Sequence, residues 1–130
     1  METTGKRPTD MNMLRRGQLT SLQNYIHWMN VEAGWWDNTD IDSVTPTKLC
    51  LIHSEISEAL EGHRKNLRDD KLTHRSALEV ELADAVIRIF DLAGAHELDI
   101  GGALFEKMEY NKTREDHKKD VRFKAGGKRY

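Results

Sequence analysis

SALEVELADAVIRIFDLAGAH, residues Ser76–His96, is the stretch that decides the fold. Its apolar residues recur at alternating spacings of four and three, which is the period of one face of an α-helix. The pattern therefore predicts a helix over the whole stretch, with one buried stripe. That stripe consists of Leu78, Leu82, Ala85, Ile89 and Leu92.

Two more helices are predicted ahead of this stretch. The first covers Gln18–Ala33 and stops at Gly34, since glycine commonly ends helices. The second starts with Thr45 as N-cap and Pro46 at the first helical position, and it continues to about Lys65. The predicted buried stripes are Leu19, Leu22, Ile26, Met29 and Ala33 in the first helix and Leu49, Ile52, Ile56 and Leu60 in the second.

A fourth helix is predicted after the stretch, over Ile100–His117 with Asp99 as its cap. The chain has no alternating segments rich in Val, Ile and Thr, so no strands are expected. We therefore predict an all-α fold, a four-to-five-helix bundle that is oligomeric. Residues 1–16 form a flexible arm in this prediction, residues 17–117 the helical domain, and residues 118–130 an irregular basic tail.

Composition excludes several classes of protein. Twenty Lys and Arg against 22 Asp and Glu give a net charge of −2, which argues against a stable nucleic-acid partner. No apolar run is long enough for a membrane span, and no signal peptide is apparent. Cys50 is the single cysteine, so neither an internal disulfide nor a cysteine-based zinc site is expected. We expect a cytoplasmic protein, of a bacterial cell or a phage-infected host.

Two pairs of carboxylates carry the most chemical information. Glu55 and Glu58 lie on the second predicted helix, and Glu81 and Asp84 on the third, each pair spaced i, i+3 on one helix surface. If the two helices pack through their apolar stripes, the four carboxylates converge and repel one another unless a cation neutralises them. Oxygen-only ligands suit Mg²⁺, with Mn²⁺ as the other choice. The alternative is an ordinary solvated helix face.

Other common sites are disfavoured. A di-iron site in a helical bundle uses Glu-x-x-His on two helices, and no glutamate in this chain has a histidine three residues later. The chain also contains no GxxxxGK[ST] loop, which excludes an ordinary P-loop NTPase.

Two further groups of residues are candidates for ligand contact. Lys107, Asn111 and Arg114 follow one another at i, i+4 and i+7, a stripe that can hold phosphate oxygens or form a salt-bridged surface. Trp35 and Trp36 follow the glycine that ends the first helix. At least one is expected in the core or at a subunit interface, and the other can stack on a nucleobase.

Several blocks together resemble one family. SEISE at Ser54–Glu58 and ELAD at Glu81–Asp84, with 22 residues between them, are similar to the ExxE…ExxD signature of the MazG-like all-α nucleoside triphosphate pyrophosphohydrolases. GWWD at Gly34–Asp37 and KMEYNKTR at Lys107–Arg114 resemble the flanking segments of that family, and GKRY at Gly127–Tyr130 resembles its ending.

The resemblance implies a homodimer or homotetramer that cleaves a nucleoside triphosphate, dNTPs included, to the monophosphate and pyrophosphate. It implies two or more Mg²⁺ ions, with Glu55 or Glu58 as proton acceptor and guanine or pyrimidine deoxynucleotides among the possible substrates. The implied metal ligands are Glu55, Glu58, Glu81 and Asp84. The implied phosphate contacts are Lys107, Asn111, Arg114 and Lys128, with Trp35 or Trp36 at the base and the C-terminal tail closing over the site.

One departure from the family keeps other functions open. Many members carry glutamate where this chain has Ser54, so a supporting carboxylate is missing. A protein that binds nucleotides without hydrolysing them, or a helical interaction protein, is therefore the alternative.

Overall fold

The computed structural model describes residues 16–130, and these form helices joined by loops. No strand occurs among them, so the all-α prediction is confirmed for this part of the chain. The predicted N-terminal arm lies, apart from Arg16, outside the described residues. The helices are α1 (Arg16–Glu32), α2 (Ile41–Arg64), α3 (Ala77–Ala95), α4 (Ile100–Thr113), a 3-10 turn (Glu115–His117) and α5 (Lys119–Arg122).

Side-chain caps fix the starts of α3 and α4, and the cap of α4 is the one that the sequence predicts. Ser76 precedes α3, and its hydroxyl accepts a hydrogen bond from the Glu79 amide at 3.1 Å. Asp99 precedes α4, and its carboxylate accepts from the Gly102 amide at 2.9 Å. Each cap satisfies a backbone donor that the first helical turn leaves unpaired, which fixes where the helix begins.

The predicted start of α2 is wrong. The helix begins at Ile41, because Asp40 caps it by accepting from the Ser43 amide at 3.1 Å. Thr45 is inside the helix, where its hydroxyl donates to the Ile41 carbonyl at 2.7 Å. Pro46 is inside as well, so the helix forgoes the hydrogen bond that a residue with an N–H would donate to the carbonyl four positions back. The helix therefore starts after the Asp40 cap and not after Thr45, where the threonine–proline pair predicted its start.

The predicted end of α4 and the irregular tail are also corrected. The helix stops at Thr113, since Arg114 has an extended backbone (φ −67°, ψ 129°). Residues 119–122 then form the single turn of α5 instead of an irregular segment. Arg114 consequently does not continue the helical stripe of Lys107 and Asn111.

The described residues divide into two compact units, described separately below. One contains residues 21–98, and the other contains residues 16–20 together with residues 99–130. Within residues 16–130, no helix is both long and apolar enough to cross a membrane.

Small residues form the contact between α2 and α3. Ala59 and Gly62 are buried on α2, and Ala77 and Ala85 on α3. The approach is close at Gly62, where an added Cβ would lie 2.7 Å from the Cβ of Ala77. Two helices can come this close only where neither carries a large side chain.

The predicted buried stripes are therefore only partly right. On α3, Ala85 and Leu92 are buried as expected. Several larger apolar residues instead remain exposed in the single chain. For those on α2 and α3 the reason is that the close approach of these two helices is made by alanine and glycine on adjoining faces. These exposed members of the stripes are Leu22, Met29, Leu49, Ile56, Leu60, Leu82 and Ile89.

Candidate metal centre and adjoining cavity

Three of the four predicted carboxylates meet between α2 and α3. One oxygen from each of Glu55, Glu81 and Asp84 lies within 4.8 Å of the other two. Glu55 lies on the buried face of α2, one turn before Ala59, and Glu81 and Asp84 are half-buried on α3. The alanine–glycine contact brings the two backbones close, which lets short acidic side chains from both helices reach one point.

Glu58 lies at the exposed edge of this group, outside the cluster of three. Its carboxylate nevertheless interacts with Glu81 through both charge and a hydrogen bond. The four carboxylates therefore form a core of three with one exposed neighbour.

The acidic side chains perturb one another. Burial raises the pKa of Glu81 to about 7, and a hydrogen bond with Glu55 and the charge of Glu58 act in the same direction. Burial and the charge of Glu55 also raise the pKa of Asp84, while the nearby Arg88 opposes that rise. Raised values of this kind arise where carboxylates share a site without enough positive charge around them.

The chemistry of these donors fits a hard divalent cation. All of them are carboxylate oxygens, the ligand type that Mg²⁺ and Mn²⁺ favour, and no sulfur or imidazole joins them within the cluster. A cation there would offset the burial and the neighbouring negative charges that raise the pKa of Glu81 and Asp84. The sequence prediction that Mg²⁺ binds at these residues stays a prediction.

Arg88 is a member of the site that the sequence reading missed. Its Nε donates to Oε1 of Glu55 at 2.5 Å, joining α3 to α2 across the acidic cluster. The signal that could have identified it is spacing, because Arg88 follows Asp84 by four residues and so lies one helical turn further along the same face.

A cavity of about 520 Å³ adjoins the cluster within the unit of residues 21–98. Glu55, Asp84 and Arg88 line it near the carboxylates, and further lining residues are Asn30, Trp35 and Lys48. The cavity thus offers acidic, basic, amide and aromatic groups in one place. Its size falls in the range of small-molecule sites in proteins.

The two tryptophans have different environments. Trp35 is 69% exposed and lines the cavity. Trp36 is half-buried, and its indole N–H donates to Oδ1 of Asp91 at 2.9 Å. That same oxygen is hydrogen-bonded to Nδ1 of His27 at 2.8 Å, and the amine of Lys48 lies 4.5 Å from the centre of the Trp36 ring. Trp35 is therefore free to stack on a ligand, whereas Trp36 is held in place.

The predicted phosphate-binding residues lie in the other unit, where three of them already have partners. The amine of Lys107 lies 4.8 Å from the centre of the Tyr110 ring. Arg114 donates twice to Asp116, at 3.0 and 2.7 Å, and Lys128 donates to the same carboxylate at 2.7 Å. These two cations hold the pKa of Asp116 well below its usual range.

Asn111 is different from its three predicted companions. Its Oδ1 is buried and has no hydrogen-bond partner among residues 16–130. Arg114 and Lys128 do converge on one anionic group, as a phosphate contact would require, but in this structure the group is the protein's own Asp116.

Comparisons of this chain with protein-family models, with curated proteins and with solved structures find no match.

Proposed function

We propose that the protein hydrolyses a nucleoside triphosphate, with dNTPs as the first candidates, to the monophosphate and pyrophosphate in the presence of Mg²⁺. The observation that carries the proposal is the meeting of Glu55, Glu81 and Asp84 at the edge of a cavity of about 520 Å³. The similarity of their motif to that of the MazG-like enzymes supports the same conclusion. Such a reaction would serve to control the nucleotide pool.

In this proposal the acidic residues bind the cations and the basic residues bind the phosphate groups. Glu55, Glu81 and Asp84 would hold the cations, which supply charge neutralisation and a more acidic bound water when present. Glu58 is the better of the two predicted proton acceptors, because it is exposed while Glu55 is engaged by Arg88. Lys48 lines the cavity and offers a positive charge to phosphate oxygens. Lys107, Asn111, Arg114 and Lys128 remain proposed phosphate contacts.

Trp35 is the proposed contact for the nucleobase. Its exposed ring lines the cavity, and aromatic stacking tolerates any base because every base has a π-face. Trp36 would serve indirectly, since its hydrogen bond to Asp91 fixes the segment from which Trp35 projects.

A second copy of the chain is the proposed protein partner. Within residues 21–98, large apolar side chains on α1, α2 and α3 are exposed to solvent in the single chain. Isolated apolar residues on a surface are normal, but many of them on three helices indicate an interaction surface. We propose a homodimer or homotetramer that buries these side chains.

The decisive experiment is a panel of NTPs and dNTPs incubated with the protein and Mg²⁺, with chromatographic identification of the products. We expect monophosphate and pyrophosphate in equal amounts, and no release of inorganic phosphate. Asp84→Asn should lower turnover by at least about a hundredfold, since it removes one charge from the cation site. Glu79→Gln is the matched control, because Glu79 lies exposed on the same helix and pairs with Arg75. Turnover by Asp84→Asn at the rate of the Glu79→Gln control would contradict the proposal.

The second candidate is a nucleotide-binding protein without hydrolytic activity. The observation in its favour is Ser54, whose hydroxyl donates to the Leu51 carbonyl at 2.6 Å and supplies no carboxylate to the cluster. This alternative predicts that nucleotides raise the melting temperature in Mg²⁺ while no pyrophosphate appears.

A further inference from the structure

Arg88 connects the acidic cluster to the cavity. Its guanidinium donates to the nearly buried Glu55 at 2.5 Å, while its side chain remains 39% exposed and lines the cavity. It also acts electrostatically on Asp84, one helical turn earlier on α3. A single cation thus acts on two of the carboxylates proposed to hold a metal.

The charge around Glu55 requires a positive partner. Glu81 and Asp84 each contribute a carboxyl oxygen within 4.8 Å of a Glu55 oxygen, so Glu55 faces two further acidic side chains on α3. A buried carboxylate among other carboxylates is costly unless a cation compensates it. In this structure Arg88 is the group that compensates it.

A divalent cation and Arg88 cannot both be the main partner of the same carboxylate oxygen. A cation bound by Glu55 withdraws electron density and repels a guanidinium a few ångströms away. The Arg88 side chain is long and partly exposed, so it can leave Glu55 by rotating about its own torsions without moving α3. The space open to it is the cavity that it already lines.

We propose that Arg88 is the internal counter-ion of Glu55 in the metal-free protein, and that a divalent cation releases it into the cavity, where it binds a phosphate group. Arg88 is then a positioning residue before the cation arrives and a phosphate contact afterwards. A planar guanidinium suits phosphate oxygens, which it can bind at two points. This inference rests on the proposed function, since it needs a cation at the cluster.

The proposal predicts opposite effects of one substitution on two ligands. In Arg88→Gln, Mn²⁺ alone should bind more tightly, by roughly tenfold, because a charged hydrogen bond no longer has to be broken. In saturating Mn²⁺, inorganic pyrophosphate should bind more weakly, again by roughly tenfold, because one charged contact is lost. Arg88→Lys should bind both ligands more nearly as the natural protein does, since it keeps the charge.

The experiment is a titration of the full chain with Mn²⁺, followed by electron paramagnetic resonance of the free ion, and calorimetry with pyrophosphate. Arg75→Gln is the matched control, because Arg75 pairs with Glu79 on α3 outside the cluster, at 2.9 Å. It should leave both affinities unchanged. If Arg88 had a merely structural role, Arg88→Gln would weaken the binding of both Mn²⁺ and pyrophosphate, or of neither. Either result would overturn the proposal.

The outcomes separate this inference from the proposed function. If the natural protein binds Mn²⁺ and releases pyrophosphate from a nucleotide while Arg88→Gln binds Mn²⁺ no more tightly, the function stands and the role of Arg88 is wrong. If the natural protein binds no Mn²⁺, the proposed cation site fails, and the release of Arg88 fails with it.

Discussion

At the scale of single residues, the site is defined by which charges face each other. Carboxyl oxygens of Glu55, Glu81 and Asp84 lie within 4.8 Å of one another. Arg88 is the positive group that donates to Glu55 and acts electrostatically on Asp84. The result is a cluster in which Glu81 holds its proton up to about pH 7. The ionisation of this residue is therefore linked to the stability of the fold.

The pH dependence of stability follows from that linkage. Glu81 has a pKa of about 7 when folded against an ordinary value of 4.5, so the folded chain holds this proton more tightly than the unfolded chain does. The metal-free protein should therefore lose stability as the pH rises from about 5 to about 7, with the loss complete above that value. Melting temperatures measured in EDTA across this range test the prediction.

Two variants serve as reference in that measurement. Glu81→Gln should flatten the dependence, because the titrating group is gone. Glu79→Gln should keep it, since pairing with Arg75 lowers the pKa of Glu79 and places its effect at lower pH. An unchanged slope in Glu81→Gln would assign the dependence to another group. Saturating Mg²⁺ should also flatten the slope, because a cation stabilises the charged carboxylates.

Single residues also show where sequence reasoning succeeds and where it stops. Ser76 and Asp99 are recognisable as caps because their effect is local, on backbone amides three residues away. The pairing of Glu55 with Arg88 is not recognisable in this way, since it depends on how closely two helices approach. Spacing shows that Asp84 and Arg88 share a face of α3, but not which residue of α2 they meet.

At the scale of helices, α2 and α3 are held together through small side chains. Gly62 and Ala77 set the distance, and carboxylates take the adjoining positions. The apolar spacing predicts that helices exist and roughly where they lie, which holds for α1, α2 and α3. It predicts the contact surface less well, because periodicity cannot tell whether a helix packs through its large apolar residues or through the alanines beside them.

Substitution of Gly62 tests the tight contact directly. A Cβ at this position would lie 2.7 Å from that of Ala77, so Gly62→Ala forces the helices apart. We expect a loss of roughly 1–3 kcal/mol in the free energy of unfolding, the usual cost of overpacking. Urea denaturation measures it, and Mn²⁺ affinity should fall as well because the carboxylates separate.

Gly17→Ala is the control for that substitution. Gly17 is also in a helix, but a Cβ there meets nothing within 4 Å, so alanine should raise stability by about 0.5–1 kcal/mol through its better helix propensity. Equal effects of the two substitutions would show that the α2–α3 contact is looser than described.

At the scale of the whole molecule, exposed apolar surface is the dominant feature of residues 21–98. Among residues 16–130 the buried apolar side chains are mostly alanines, with Phe90 and Leu92 as the larger ones, and Leu49, Ile56 and Leu60 of α2 remain exposed to solvent. The all-α class could be predicted from the sequence, because it follows from local periodicity. The predicted oligomer stays a prediction, since it depends on which faces meet between chains.

A charge placed on this surface tests the proposed assembly. Leu60 is 58% exposed on α2, so Leu60→Glu should leave a single chain folded while opposing burial of that face against a second copy. We expect the natural protein to sediment as a dimer or tetramer and the variant to shift towards the monomer. Circular dichroism of both confirms that the helices persist.

Leu72→Glu provides the comparison. Leu72 is 48% exposed in the segment between α2 and α3, away from the helix faces proposed to associate. The Leu72→Glu variant should sediment as the natural protein does. A natural protein that sediments as a single chain at high concentration would contradict the proposed assembly.

The close contact of Gly62 on α2 with Ala77 on α3 limits how far the spacing of the acidic side chains can change. Glycine and alanine have no side-chain rotamers, so this contact cannot adapt to a substitution by rearranging side chains. Any shift there is transmitted to the backbone, and through it to the spread of the acidic oxygens. The contact therefore fixes the spacing of the two helices, and larger side chains at Gly62 or Ala77 would spread the acidic cluster without changing any of its carboxylates.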